Sequence, residues 1–150
     1  RLYLVTGVQT CALPISARYE QAAEHYREAA SIQRETVGPS SRKLALVLSN
    51  LGGVLHEMEA WTSAEDAYRQ ALDVYRSRTP LDTLSTAEVH VDLGEVLLQL
   101  GAFEEAESHL REGRRMLQTA GHAQHAALQR ATDALTRLYA DSVRPVEPSN

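Results

Sequence analysis

A four-residue stretch that occurs three times decides the fold: YEQA at Tyr19–Ala22, WTSA at Trp61–Ala64 and FEEA at Phe103–Ala106. Each copy begins 42 residues after the one before it, and in each an aromatic residue leads by three residues to an alanine. A fixed period of this size is typical of stacked helical arrays, in which each unit covers the apolar face of its neighbour. The repeat therefore predicts an all-α protein of stacked antiparallel helix hairpins that presents a surface to a partner.

The residues around these stretches repeat with the same period. Four residues after each alanine comes a large residue, and three residues later a small one. A glycine also recurs upstream, at Gly52 and Gly94, and we expect it where the two helices of one hairpin cross. The matching sets are Tyr26, Tyr68 and Leu110; Ala29, Ala71 and Gly113; and, upstream, Leu48 with His90, Leu51 with Leu93, and Leu55 with Leu97.

Apolar residues spaced by three and four, interrupted by turn residues, predict six helices. A capping box between Thr62 and Glu65 is expected to open the third helix. Gly101 is expected to supply the left-handed conformation that ends the fourth. The predicted helices are 17–36, 42–59, 62–77, 83–100, 103–119 and 124–141.

Composition narrows the class of protein. The net charge of −5 argues against nucleic acid as a partner, because nucleic-acid-binding surfaces are basic. The sole cysteine, Cys11, allows neither a disulfide framework nor a cysteine metal site. No apolar run approaches the roughly 20 residues that cross a bilayer. We therefore expect a cytoplasmic protein that does not bind a membrane.

The two ends of the chain differ from the repeats. Residues 5–15, VTGVQTCALPI, resemble the translation of a common sequencing adapter. This resemblance predicts an artefactual or disordered leader at 1–16 and an environmental, bacterial gene fragment; a genuine extended leader is the alternative. Residues 17–141 would then hold the second helix of a truncated repeat, two full repeats and a closing helix. Two prolines predict a disordered tail at 142–150.

Two segments carry a family resemblance. ALVLSNLG at Ala45–Gly52 and GAFEEAE at Gly101–Glu107 resemble the tetratricopeptide repeat, in the 42-residue form typical of kinesin light chain and its bacterial relatives. The resemblance implies a right-handed solenoid that binds proteins and needs no cofactor. The sequence departs from the pattern at Glu59, where the turn glycine is usual.

In such arrays the first helices of successive repeats line a concave groove. Helical phase places a largely acidic set of side chains there, and the resemblance implies that Asn50 holds the backbone of an extended peptide. We therefore expect a protein or peptide partner of basic character; the alternative is that these positions are simply solvated. The predicted groove residues are Asn50, His56, Glu57, Glu88, Asp92, Glu95 and Gln99.

No catalytic, cofactor-binding or metal-binding pattern is found, so an enzyme is not expected. His122 and His125 are spaced to share a helix face, but no cysteine or carboxylate lies close to them in sequence. His56 and His90 fall on first helices, where the groove forms. Two functions remain open: a protein-interaction scaffold, or the C-terminal repeat region of a larger bacterial signalling protein. The second rests on Gly121–Tyr139, which resembles the ending of serine/threonine kinases that carry these repeats.

Overall fold

The computed structural model describes residues 14–78 and 82–142, and every regular element in these ranges is a helix. None of these helices is long and apolar enough to span a bilayer. The helices are α1 (Ile15–Thr36), α2 (Arg42–Glu57), α3 (Trp61–Arg76), α4 (Thr83–Gln99), α5 (Phe103–Thr119) and α6 (Ala126–Ser142).

The helix ends show where the local signals were misleading. α1 begins at Ile15, so the last two residues of the predicted leader are helical. The predicted capping box is wrong: α3 already begins at Trp61, and no side chain caps it. The capping oxygen is found instead at α4, where Asp82 accepts a hydrogen bond from the Ser85 amide at 3.2 Å. The proposed adapter origin concerns residues that lie mostly outside the described ranges, as do residues 143–150 of the predicted tail. Ser142, the first residue of that tail, is the last residue of α6.

Successive helices pack against each other, so that α2 with α3 and α4 with α5 form the two full hairpins. α2, α4 and α6 also contact one another in order and make a continuous inner layer. Within the described residues, the outer helices α1, α3 and α5 share no backbone contact. Long side chains join them instead: Arg34 donates to Gln70 at 3.1 Å, and Arg69 to Glu105 at 2.7 Å. The tighter inner layer forms the concave side.

Each hairpin closes at a glycine, as the sequence predicted. A Cβ atom added at Gly52 would lie 2.6 Å from the ring of Tyr68, and one added at Gly94 would lie 2.6 Å from Leu110 Cγ. Both partners are fully buried. Tyr68 and Leu110 can therefore pack in these positions only because the two glycines have no side chain.

Adjacent glycines in α2 should respond in opposite ways to alanine. Gly52→Ala forces a Cβ into the Tyr68 ring, and we expect a net loss of about 1–2 kcal/mol of unfolding free energy, the overpacking cost less the gain in helix propensity. At Gly53 the added Cβ would lie 3.8 Å from the Tyr68 hydroxyl. Gly53→Ala should therefore stabilise by about 0.5–1 kcal/mol. Denaturant titration of both variants checks this, and equal effects would contradict the assigned crossing.

The turn after α2 contains a strained residue. Glu59 has a φ of 57°, and one period later Gly101 takes 76° in the same turn. A left-handed conformation costs a non-glycine residue about 1–2 kcal/mol. Glu59→Gly should therefore stabilise the protein by up to about 1 kcal/mol, since glycine also loses more chain entropy on folding.

The matched control is Glu24→Gly, in the interior of α1, where the same change should destabilise by about 1 kcal/mol. The two unfolding midpoints should move in opposite directions. A destabilised Glu59→Gly variant would show that the glutamate side chain contributes more than its backbone costs.

Candidate functional site

The inner layer carries a hollow of about 410 Å³ between α1, α2, α3 and α4. Four of the seven predicted groove residues line it: Asn50, Glu57, Glu88 and Asp92. Four tyrosines also line it, and we call it the tyrosine hollow. Its other lining side chains are mostly small or aliphatic. The tyrosines are Tyr19, Tyr26, Tyr68 and Tyr75.

The other three predicted residues, His56, Glu95 and Gln99, line a second hollow of about 640 Å³. We call it the phenylalanine hollow, because Phe103 lines it with 52% of its surface exposed. The side chains that complete it come from α4, α5 and α6, and they are apolar or charged. They are Leu98, Glu104, Ala134, Arg137 and Leu138. The predicted groove is therefore divided into two hollows along one face.

Arg130 of α6 stands between the hollows. Its Nη2 atom lies 2.6 Å from Asp92 Oδ1, and its Nε donates to Glu95 Oε1 at 3.1 Å. A further contact joins Nη2 to the second oxygen of Glu95. Asp92 belongs to the tyrosine hollow and Glu95 to the phenylalanine hollow, so one guanidinium ties the two sites together.

Arg130 also makes this face less acidic than the sequence predicted, because it pairs with two of the carboxylates. Burial raises the pKa of Asp92, and the nearby guanidinium opposes that shift. The hydrogen bonds to Glu95 raise the pKa of Arg130 above its usual range, so its positive charge is permanent. Two of the predicted acidic residues are therefore paired within the protein. Glu88 lies 3.3 Å from His125 Nε2, while Glu57 has no ion pair among the described residues.

The tyrosines are candidate functional side chains that are absent from the predicted groove. Tyr68 and Tyr75 are only 2% and 1% exposed, as residues of the core are. Yet both line the hollow, and neither hydroxyl makes a hydrogen bond to any described residue. Burial raises the pKa of Tyr68, so its hydroxyl stays neutral. Tyr19 and Tyr26 are half buried and line the same hollow.

His90 does not lie in the groove, contrary to expectation. It is 5% exposed, and its Nδ1 lies 2.9 Å from Nδ1 of His109, between α4 and α5. Burial, together with the nearby His109 and Arg76, lowers the pKa of His90 to about 4. Burial likewise lowers the pKa of His109. His122 and His125 stack edge to face, and within residues 14–78 and 82–142 no three potential ligands gather around a metal position.

The buried histidine should make stability fall in weak acid. The pKa of His90 is about 4 in the folded protein and 6.5 in the free side chain. The unfolded chain therefore binds the proton first, and unfolding free energy should decrease as pH falls from 6.5 towards 4. His90→Leu should flatten this part of the curve, whereas His25→Leu, exposed on α1, should not. Parallel slopes for all three proteins would contradict the assignment.

The pairing around Arg130 should be measurable as a coupling energy. Arg130→Met leaves the half-buried Asp92 without its cation, and we expect a loss of about 1 kcal/mol of unfolding free energy at neutral pH. Adding Asp92→Asn to Arg130→Met should recover part of that loss, and the double-mutant cycle gives the coupling energy of the pair. Arg137→Met, about two turns further along α6, is the control. An equal loss in both arginine variants would show that the pairing contributes nothing.

Known proteins resemble part of this chain in sequence and nearly all of it in structure. No curated protein matches the sequence significantly. The crystal structure of BtubC (BKLC) from P. vanneervenii superimposes with a TM-score of 0.65 at 19% identity, over 89% of this chain and 62% of that one. This chain thus spans less than two thirds of that protein, and the likeness concerns the fold alone. Residues 16–77, which hold α1 to α3, match the tetratricopeptide repeat family. The chain is therefore an all-α helical repeat solenoid whose first three helices are similar to tetratricopeptide repeats.

Proposed function

We propose that the tetratricopeptide repeat extends through α6 and that the chain is a protein-interaction scaffold. The partner is an extended peptide or a protein segment laid along the inner layer of α2, α4 and α6. The observation that carries the proposal is the pair of hollows on that one face, with exposed Phe103 in one and orphan tyrosine hydroxyls in the other. Concave sites that combine apolar walls with polar groups able to orient a ligand are typical of ligand-binding surfaces.

Asn50 supports a backbone-binding role. It is exposed on α2, lines the tyrosine hollow and makes no hydrogen bond within the described residues. A carboxamide can donate to a peptide carbonyl and accept from a peptide amide at once. Gln99 occupies a similar position at the far hollow. Two such groups would orient an extended chain without selecting its sequence.

The kinase interpretation stays a prediction. The segment from which it came, Gly121–Tyr139, forms the turn after α5 and most of α6, where Tyr139 donates to Glu107 at 2.7 Å and accepts from Arg111. These contacts fasten the closing helix to α5. They explain a tyrosine at this position by packing, without reference to a catalytic domain.

Selection of peptides from a random library, followed by affinity measurement on variants, tests the scaffold proposal. Gly53→Leu with Gln99→Trp plugs both hollows from exposed or open positions, and we expect at least about a tenfold loss of affinity for the selected peptides. The control pairs Glu24→Leu with Gln118→Trp, which place the same side chains on exposed outer positions. Peptides that bind the plugged and control proteins equally would refute binding along this face.

A further inference from the structure

The tyrosine hollow combines two features that point to one kind of ligand. The hydroxyls of Tyr68 and Tyr75 have no hydrogen-bond partner among the described residues. Both side chains are almost fully buried, yet neither oxygen is sealed off, and both open into the hollow. A neutral phenol can accept a hydrogen bond from a cation and stabilise it. The hollow thus holds acceptors that the protein itself leaves unused.

The charges around the hollow are unbalanced. Glu57, Glu88 and Asp92 line it, against a single cationic residue, Arg130. That guanidinium is committed to Asp92 and Glu95 at one edge. Glu88 has only His125 beside it, and Glu57 has no ion pair within the described residues. The lining of the hollow therefore carries a net negative charge.

Aromatic walls face the same space. Tyr19 and Tyr26 of α1 are half buried and line the hollow together with the acidic residues of α4. The face of a phenol ring attracts a cation, and the attraction strengthens where water is displaced. Carboxylates, free hydroxyls and ring faces together are complementary to an ammonium or guanidinium group on an apolar stem.

We propose that the tyrosine hollow is a pocket for one lysine or arginine side chain of the bound partner. The inference rests on the proposed function and adds the anchor residue that the inner layer selects. The aliphatic stem lies against Tyr19 and Tyr26, and the charged head reaches Glu57 and the hydroxyl of Tyr68.

The test uses the full chain and capped pentapeptides of the form Gly-Gly-Xaa-Gly-Gly, in which Xaa is lysine, arginine, norleucine or glutamate. Binding is followed by the amide chemical shifts of the protein. The lysine and arginine peptides should shift the Gly53 and Asn50 amides saturably, and added salt should weaken both. Norleucine has the stem without the charge, so its peptide should bind more weakly by about threefold or more, as should the glutamate peptide.

Two pairs of variants locate the cation. Glu57→Gln should weaken the lysine peptide by about threefold or more, whereas Glu24→Gln, the same change on the outer face of α1, should leave it unchanged. Tyr68→Phe removes the unpaired hydroxyl and should also weaken binding. Tyr139→Phe removes a hydroxyl that is bonded to α5, outside the hollow, and should leave binding unchanged. Tyr68→Phe keeps the packing of the ring, and Glu57→Gln lies at the surface, so both variants should fold normally.

Several outcomes overturn the inference. Norleucine binding as tightly as lysine, glutamate binding best, or equal affinities in Glu57→Gln and Glu24→Gln would each refute a cation pocket, as would the absence of any shift at the hollow. If the lysine peptide shifts only His56, Gln99 and Phe103, the basic-side-chain pocket is refuted while binding along the inner layer stands. The peptide selection on the plugged protein decides the scaffold proposal separately.

Discussion

The close crossing of helices within each hairpin is the constraint on which the rest of the structure depends. At Gly52 the ring of Tyr68 occupies the space of the missing side chain, and at Gly94 Leu110 does the same. The two crossings differ in one consequence. The tyrosine ring passes across α2 and brings its hydroxyl near Gly53, at the edge of the groove, whereas leucine ends inside the core. The same packing rule therefore produces a polar floor at the first crossing and a purely apolar one at the second.

Much of the fold could be predicted from the sequence because its signals are local or periodic. The glycines, the small residues and the apolar spacing specify helix pairs without knowledge of distant contacts. Helix starts were less predictable: Thr62 and Glu65 have the right spacing for a cap, but Trp61 is already helical. The preference of a polar residue for a cap is weaker than the packing that fixes where a helix begins.

The candidate site was predictable only in part. Helical phase placed all seven groove residues on the inner layer, but it did not show that Arg130 pairs with Asp92 and Glu95 across 38 and 35 positions. The burial of His90 did have a signal in the repeat, because His90 aligns with Leu48, which is buried in the preceding unit. The unpaired tyrosine hydroxyls had no such signal, because whether a hydroxyl is hydrogen-bonded depends on its three-dimensional surroundings rather than on residue type.

The uneven joining of the two layers has a mechanical consequence. The inner layer is held by direct helix packing, which resists deformation, while the outer helices are linked by exposed bridges such as Arg34 with Gln70 and Arg69 with Glu105. Such bridges are individually weak, and the charged ones are screened by salt. Each outer helix also packs on the inner helix that follows it, α3 on α4 and α5 on α6, and this packing holds successive repeats together. Loss of the bridges in high salt would therefore loosen the exposed outer side of the array while the helix packing keeps its curvature.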